Sequence, residues 1–187
     1  MIAHDLRRKI KHALMAATVA FAPLAARAQP APPDGRHAFD FEFGAWDMHV
    51  KRLVAPLSGS TDWAEYDGPS VVHPIWGGAA NVGEIDIAGP KGRIQGMSVR
   101  VYDPQSGQWR VSFANAREGV LDAPMIGGFA GGRGEFYNQE IYEGRAIFVR
   151  FIFSDITPAA FRLEQAFSAD GGKTWEANWI ATFRKRG

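Results

Sequence analysis

One stretch near the start of the chain constrains the fold more than any other. In residues 39–51 apolar side chains first alternate with acids, as in a half-buried strand; they are Phe39, Phe41 and Phe43. The alternation slips by one position at Gly44 and continues through Trp46, Met48 and Val50. A slip at a glycine is typical of a bulge or a sharp strand entry. We therefore predict that this stretch is the first strand of a closed β-barrel, with Trp46 filling one barrel end.

Further strand-like runs follow along the chain, separated by turn residues and without a long helical period. They lie near residues 41–54, 62–76, 81–88, 92–103, 108–116, 134–142, 145–154, 160–169 and 173–184. Short connections make sequential strands antiparallel neighbours, and a long meander closes to remove its edges. The sequence predicts a single all-β domain, an antiparallel up-and-down barrel of about nine or ten strands. A double-sheet sandwich is the alternative, because periodicity does not show closure.

Residues 119–132 interrupt the strand pattern. This segment is long and glycine-rich, with a few apolar side chains such as Met125 and Phe129. A loop of this length in a compact domain is usually functional or mobile. We predict that it forms a lid over the barrel.

The chain divides into a signal peptide at residues 1–28, a proline-rich linker at 29–37 and a barrel domain at 38–187. The signal peptide has a basic start, a short apolar run and an A-x-A pattern that ends at Ala28. The apolar run is too short to span a bilayer, so no integral membrane segment is expected after its removal. These features predict a periplasmic or secreted protein, with the Sec and twin-arginine routes both open. Because the chain has no cysteine, a disulfide or a lipoprotein anchor is excluded.

Removal of the signal peptide changes the charge of the protein. Residues 1–28 hold five of the 21 basic residues and one of the 20 acidic residues, so the remainder has a net charge of −3. A mildly acidic domain without a basic run lacks the electrostatic footprint of a nucleic-acid-binding protein. No nucleic-acid partner is expected.

Two hairpin connections predict strand registers. A three-residue loop at residues 170–172 sets Phe167 opposite Trp175 and Leu163 opposite Trp179, on the inner face. The same reasoning at residues 103–107 sets Val101 opposite Trp109 inside the barrel. It also sets Arg100 opposite Arg110. An acidic side chain or an anionic ligand between the two arginines would offset the repulsion of their like charges. Alternatively, both arginines are solvated and point away from each other.

The chain resembles a known group of proteins at several motifs. Gly44-Ala45-Trp46 resembles the Gly-x-Trp motif of calycins, the lipocalin-related barrels. Phe39-x-Phe-x-x-Gly-x-Trp46, Gly134-x-Phe-Tyr137 and the run at residues 164–179 resemble an uncharacterised family of exported bacterial calycin-like proteins. The resemblance covers nearly all of the chain after the signal peptide. It implies a calycin-like barrel that binds small apolar molecules.

The resemblance also implies how one barrel end is closed. In calycins the motif tryptophan closes the barrel base and a late basic residue packs over it. Arg184 or Arg186 would stack on Trp46 in this way. Related haem barrels need a histidine late in the chain, and this sequence has none after His73, which argues against haem.

The predicted ligand-binding residues combine aromatic rings with a few polar groups that would fix a ligand's orientation. They are Trp63, His73, Trp76, Arg100, Gln165 and Trp179. Gln165 is the most informative, since it lies on the apolar face between Leu163 and Phe167. A buried amide needs partners, so it binds either neighbouring polar groups or a ligand.

Other polar residues suit a structural role at least as well as a chemical one. Arg150, Glu164 and Asn178 are predicted to form a row across the opposite face from Gln165. Such a row on the surface stabilises by only about 0–1 kcal/mol. If the inner and outer faces were exchanged, it would become the leading site. Glu84 and Asp86 share a strand face, as in paired-carboxylate catalysis, but a solvated outer face explains them equally well.

The sequence lacks the motifs of several common active sites. The three histidines after residue 28 have no ligand-spaced partners, so no metal site is predicted. A nucleophile elbow, a P-loop and a dinucleotide fingerprint are also missing, and no cofactor is expected.

Three hypotheses for function follow from these features. The first is an exported barrel that binds a small apolar or aromatic molecule in its interior. The second is an isomerase, cyclase or hydrolase on the same barrel, which uses an interior Glu, Arg or His. The third is an interaction module with a filled core. An internal cavity separates the first two from the third, and an ionisable group in that cavity with a perturbed pKa favours the enzyme.

Overall fold

The computed structural model describes residues 34–187 and shows a closed β-barrel. The predicted signal peptide and most of the predicted linker lie outside the described residues. The ten strands are β1 (Gly44–Leu53), β2 (Trp63–Ile75), β3 (Ala80–Gly89), β4 (Gly92–Asp103), β5 (Gln108–Asn115), β6 (Met125–Ala130), β7 (Arg133–Tyr142), β8 (Arg145–Ser154), β9 (Ala160–Ser168) and β10 (Glu176–Lys185). Three short 3₁₀ turns, at Gly35–His37, Asp40–Glu42 and Trp76–Gly78, accompany them.

Each strand pairs antiparallel with the next along the chain, and β1 pairs with β10 to close the barrel. This confirms the predicted antiparallel up-and-down barrel and excludes the sandwich. The two ends of the barrel differ. At the sealed end β1 begins and β10 ends; at the open end β1 ends and β10 begins. Among the described residues, no helix is long and apolar enough to cross a bilayer.

The predicted first strand is wrong for residues 39–43. These residues include the 3₁₀ turn Asp40–Glu42, and β1 begins only at Gly44, where φ is +103°. Such a φ favours glycine because it has no Cβ. The chain crosses the sealed end before it turns into the barrel wall. Phe39 and Glu42 are therefore buried in the sealed end of the barrel and do not alternate along a strand.

Trp46 does fill the sealed end, as predicted. It is fully buried, its indole N–H donates to the Glu42 carbonyl oxygen (2.6 Å), and Phe161 packs edge-on against it. The basic residue above it is Lys185, whose Nζ lies 4.4 Å from the ring centroid. The prediction of Arg184 or Arg186 is thus wrong. Arg186 instead binds Asp47 on the outer surface.

The predicted loop at residues 119–132 contains a strand, β6. Its two glycines, Gly127 and Gly128, interrupt the alternation by which a strand is predicted. For Gly127 a steric reason requires glycine at this position. A Cβ on Gly127 would lie 1.9 Å from the Glu135 carbonyl oxygen of the neighbouring strand β7. Residues 125–130 are therefore barrel wall and not a lid.

The hairpin between β4 and β5 shifts the predicted register by one residue. Asp103 pairs with Gln108 around a four-residue loop, so Tyr102 lies opposite Trp109. The Asp103 carboxylate accepts hydrogen bonds from the backbone N–H groups of Gln105 and Ser106, which favours this loop. A shift of one residue exchanges the two faces of a strand. Consequently Arg100 points into the barrel opposite Val111, and its predicted pairing with Arg110 is wrong.

Most residues of β8, β9 and β10 lie on the face that was predicted, but the predicted cross-strand partners are wrong. Gln165 pairs with Phe151 on one side and Trp179 on the other, two residues from the predicted pairing. Trp175 lies before β10 and does not pair with Phe167. A bulge between Ala177 and Trp179 turns Asn178 toward Gln165, away from Arg150 and Glu164.

Candidate functional site

Tightly packed aromatic rings fill the sealed half of the barrel interior. Phe39 lies at the centre, with the ring centroids of Trp109 and Phe129 each 4.9 Å away in edge-on geometry. Edge-on pairs of this kind stabilise beyond their buried area. Phe136 and Phe153 complete the cluster, and both are almost fully buried. This half of the interior is part of the hydrophobic core.

A buried polar cluster lies beside these rings. Arg100 Nη2 is 2.9 Å from Glu42 Oε2, and Arg100 Nη1 donates to Asn81 Oδ1 at 2.9 Å. The Arg100 guanidinium also lies 5.0 Å from the centroid of the Phe39 ring. Burial raises the pKa of the Glu42 carboxyl above its usual value, and the charge of Arg100 opposes that increase. The cluster fastens the turn at residues 40–42 to the inner wall.

The wall on the other side of the interior carries a second polar pair. Gln165 Nε2 donates to Asn178 Oδ1 at 2.7 Å. Asn178 is buried, and its Nδ2 has no hydrogen-bond partner within residues 34–187. Phe151 and Trp179 flank Gln165 on the inner face. The sequence predicted an inward-facing Gln165, and the structure adds Asn178 as its partner.

The side chains around Gln165 are less tightly enclosed than those of the sealed half. Phe151, Leu163 and Trp179 point inward and contact the core, yet each is only partly buried. Together with Gln165 they form a patch of aromatic, aliphatic and amide groups on the inner wall that keeps accessible surface. Other inward side chains toward the open end, such as Val50, Tyr66 and Val149, are almost fully buried.

Residues 54–62 fold over the open end next to this lining. Leu57 packs against the core, and its backbone N–H donates to Glu176 Oε1 at 2.6 Å. Its φ is +58°, a left-handed conformation that is unfavourable for a leucine. A pocket of about 360 Å³ lies between this loop, Phe167 and Trp175. The loop lies over the open end and is held there by the packing of Leu57 and by the hydrogen bond to Glu176.

An acidic group also lies on the inner face near the open end. Glu140 occupies an inward position on β7 opposite Ile147. Burial raises its pKa, the carboxylate of Asp122 raises it further, and Asn138 opposes the increase by hydrogen bonding. The pKa of Asp122 is raised too, by burial and then by Glu118. Glu140 was not among the predicted site residues, although its alternation with Asn138 and Tyr142 on β7 indicates that the three share a face.

A second groove lies on the outer surface of β2 to β5, with a volume of about 670 Å³. It contains Glu84 and Asp86, which share the outer face as predicted. Asp86 accepts two hydrogen bonds from Arg93, and these lower its pKa. With Asp86 held by an arginine and Glu84 exposed, the groove does not bring two free carboxylates to one reacting centre.

The predicted row of Arg150, Glu164 and Asn178 is divided by the bulge. Arg150 and Glu164 remain on the outer face, with Nη2 and Oε1 3.9 Å apart. The Arg150 guanidinium stacks on Trp175 at 4.5 Å, and Tyr137 contacts the same indole. These contacts fix the segment after β9 against the outer wall.

The structure does not bring all six predicted ligand-binding residues together. Gln165 and Trp179 are adjacent on the inner face near the open half, and Arg100 lies inside near the sealed end. Trp63 lies on the outer face at the open end, half exposed. His73 and Trp76 lie outside at the sealed end, and Trp76 is 74 % exposed. Gln165, Trp179 and Arg100 thus stay predictions for an interior site, whereas Trp63, His73 and Trp76 do not line the interior.

No group of three or more acidic or histidine side chains within residues 34–187 is arranged to bind a metal ion. The three described histidines lie on the surface; His37 contacts one carboxylate, and His49 contacts two, those of Asp67 and Glu65. His37 Nδ1 is 3.0 Å from Asp40, and His49 Nδ1 is 2.8 Å from Asp67.

Comparison with known proteins supports the fold. No protein-family model matches the chain, and no curated protein matches it significantly in sequence. Among solved structures, Rv2717c from M. tuberculosis aligns with a TM-score of 0.54 and 14% identity, over 80% of this chain and 96% of that one. The S-type phycobiliprotein lyase CPES from Guillardia theta aligns with a TM-score of 0.52 and 12% identity, over 80% and 92% of the two chains. These likenesses concern the fold alone, which is a closed antiparallel up-and-down β-barrel, as predicted.

Proposed function

We propose that the protein binds a small apolar or aromatic molecule inside the open half of the barrel. The observation that carries this proposal is one patch of the inner wall on β8, β9 and β10. Phe151, Leu163, Gln165 and Trp179 face inward there and are only partly buried. By contrast, the rings of Phe39, Trp109 and Phe136 are 0–1% exposed. An apolar lining with a few polar groups is the usual composition of a small-molecule site.

The loop at residues 54–62 provides the entrance. The pocket beneath it adjoins Phe167, which continues the inner face of β9 toward the open end. A ligand that enters here displaces Leu57 from the core and breaks its bond to Glu176. Opening the loop costs the hydrogen bond to Glu176 and the burial of Leu57, and release of the strained Leu57 backbone offsets part of that cost.

Uptake of an apolar fluorophore tests the proposal directly. N-phenyl-1-naphthylamine brightens in apolar surroundings, so its fluorescence should rise and saturate with the purified protein. Leu163→Trp places a bulky indole in this patch of the inner wall and should reduce uptake by about tenfold or more, equivalent to ~1.4 kcal/mol. Ile141→Trp is the matched control, since Ile141 is 73% exposed on the outer face. No fluorescence rise with folded wild-type protein would refute the proposal and favour a filled-core module.

Export to the periplasm or beyond belongs to the same proposal, as does the relationship to exported calycin-like proteins. The order of basic, apolar and small residues in positions 1–28 supports it. N-terminal sequencing of the protein from the cell envelope should begin near Gln29. Ala28→Asp should leave the leader attached, because the cleavage site requires a small residue there. An intact leader on wild-type protein in the cytoplasm would contradict export.

Glu140 favours one alternative, a barrel enzyme. Its inward position and raised pKa suit a general acid or base. A cell extract incubated with wild-type protein should then lose a compound that it keeps with Glu140→Gln. If wild-type protein and the variant leave the same compounds unchanged, binding without catalysis is favoured.

A further inference from the structure

Gln165 and Asn178 form an amide pair whose hydrogen-bonding capacity exceeds what the protein satisfies. Their one mutual bond joins Gln165 Nε2 to Asn178 Oδ1 at 2.7 Å. Asn178 is 3% exposed, and its Nδ2 has no partner within the described residues. Buried amide groups are normally paired, so an unpartnered buried donor calls for an explanation.

The orientation of the two amides does not alter this conclusion. Nitrogen and oxygen of an amide exchange places when the group flips. In the present orientation the free groups are the Asn178 N–H donors and the Gln165 carbonyl acceptor. If both amides flip, the free groups are a Gln165 donor and an Asn178 acceptor. Either way the pair offers one donor and one acceptor side by side.

The bulge in β10 creates this pair. Regular alternation would place Asn178 on the outer face, because its neighbour Trp179 faces inward. The register shift between Ala177 and Trp179 turns it toward Gln165 instead. Bulges commonly redirect a side chain near a functional site.

Aromatic rings flank the amide pair. Phe151 and Trp179 are the direct cross-strand partners of Gln165, so the amide lies between two rings on the inner face. Both rings are partly buried and keep accessible surface. Planar aromatic molecules pack favourably against such rings in offset or edge-on geometry. The surroundings fit a flat ring system whose polar edge meets the amides.

We propose that Gln165 and Asn178 recognise a planar ligand through a lactam or similar cis-amide edge. A ring C=O beside a ring N–H supplies the acceptor and donor that complement the two free groups of the pair. The neutral amides favour an uncharged edge over a carboxylate or an ammonium group. This inference rests on the proposed interior binding and adds the chemical class of the ligand.

Two probes with the same fused rings test the inference. In 4-methyl-2-quinolone a ring carbonyl lies beside an N–H, whereas 2-methoxy-4-methylquinoline, its O-methyl ether, has neither the N–H donor nor the ring carbonyl. Titrations of both probes, followed by fluorescence or calorimetry, should show about tenfold tighter binding of the quinolone to wild-type protein. Gln165→Met keeps the side-chain length, removes the amide and should abolish that preference. Gln139→Met on the exposed outer face is the matched control and should keep it.

Asn178→Ser provides a second route if Gln165→Met fails to fold by circular dichroism, and it should lower the preference as well. Equal binding of both probes by wild-type protein, or a preference that survives in a folded variant, would overturn the inference. If neither probe binds but N-phenyl-1-naphthylamine does, the lactam assignment fails and the interior binding stands. If the fluorophore and both probes all fail to bind, both proposals fail.

Discussion

Replacing Arg100 by methionine removes one partner of a buried ion pair. The Glu42 carboxylate loses its 2.9 Å contact, and Asn81 Oδ1 loses the donor that binds it. Loss of one partner from such a pair typically costs about 3–5 kcal/mol, because the other charge stays buried without compensation. We therefore expect Arg100→Met to lower the free energy of unfolding by about this amount in urea titrations followed by tryptophan fluorescence.

The double variant Glu42→Gln/Arg100→Met separates the ion pair from the rest of the site. Removal of both charges relieves the uncompensated one, so the double variant should lose less stability than the two single changes together. Residues in direct contact show coupling energies of about 0.5–3 kcal/mol. Arg110→Met is the control, since Arg110 is exposed on the outer face, and a change within about 0.5 kcal/mol is expected. Additive effects of the two single changes would refute a mutually stabilising pair.

The stability that Arg100→Met loses should depend on pH, and the sign of this dependence follows from the pKa of Glu42. The pKa of Glu42 in the folded protein is raised, so the folded state holds this proton more tightly than the unfolded state. Its contribution to stability is full below the unfolded pKa and is lost as pH rises through the folded pKa. Without Arg100 the folded pKa of Glu42 rises further, because the charge that lowered it is gone. The loss caused by Arg100→Met should therefore be larger at about pH 8 than at about pH 5, and a pH-independent loss would argue against a charged Glu42.

Three further changes test other parts of the fold. Lys185→Ala should cost about 0.5–1 kcal/mol by removing the cation above Trp46, and Lys185→Arg should restore it in the same urea titration. Gly127→Ala should destabilise by about 1–3 kcal/mol or more, whereas Gly128→Ala, with open space around its Cβ position, should be nearly neutral; equal effects would contradict the steric reasoning. Hydrogen bonds from Thr174, Ser168 and Lys173 hold the pKa of Asp170 well below its usual value. Wild-type protein should thus be more stable than Asp170→Asn at neutral pH, and this difference should disappear as pH falls through the folded pKa of Asp170. Urea midpoints measured from neutral to acidic pH check this.

Strand periodicity predicted the closed meander because most connections are short and carry clear turn residues. It also predicted that Trp46 fills the end and that Gln165 faces inward. Both predictions depend on apolar positions close in sequence, where the alternation of a strand is regular. β6 was missed because Gly127 and Gly128 leave few side chains to show a period, and Gly127 is the one that the close approach of β7 requires.

The errors at the candidate site have specific causes. Arg100 faces outward if the β4–β5 loop holds three residues and inward if it holds four. The Asp103 carboxylate stabilises the four-residue loop by accepting a hydrogen bond from a backbone N–H within it. The bulge at Asn178 leaves no mark in the hydrophobic pattern, because Ala177 and Trp179 on either side of it alternate with polar residues as in a regular strand. Glu42 was placed in a strand because phenylalanines alternate around it, whereas the structure has a 3₁₀ turn at Asp40–Glu42. The β4–β5 loop depends on contacts close in sequence, whereas Asn178 and Glu42 bind partners distant in sequence, Gln165 and Arg100.

The pairing of β1 with β10 also bears on how the chain folds. Asp47 and Arg186, which meet beside this seam, are 139 positions apart in sequence. Every other strand pair joins consecutive strands, so the seam alone requires the two ends of the domain to find each other. Closure of so long a loop carries the largest entropic cost of any pairing here. We expect a transient open sheet with two free edges to precede the closed barrel, and its lifetime to set the tendency to aggregate.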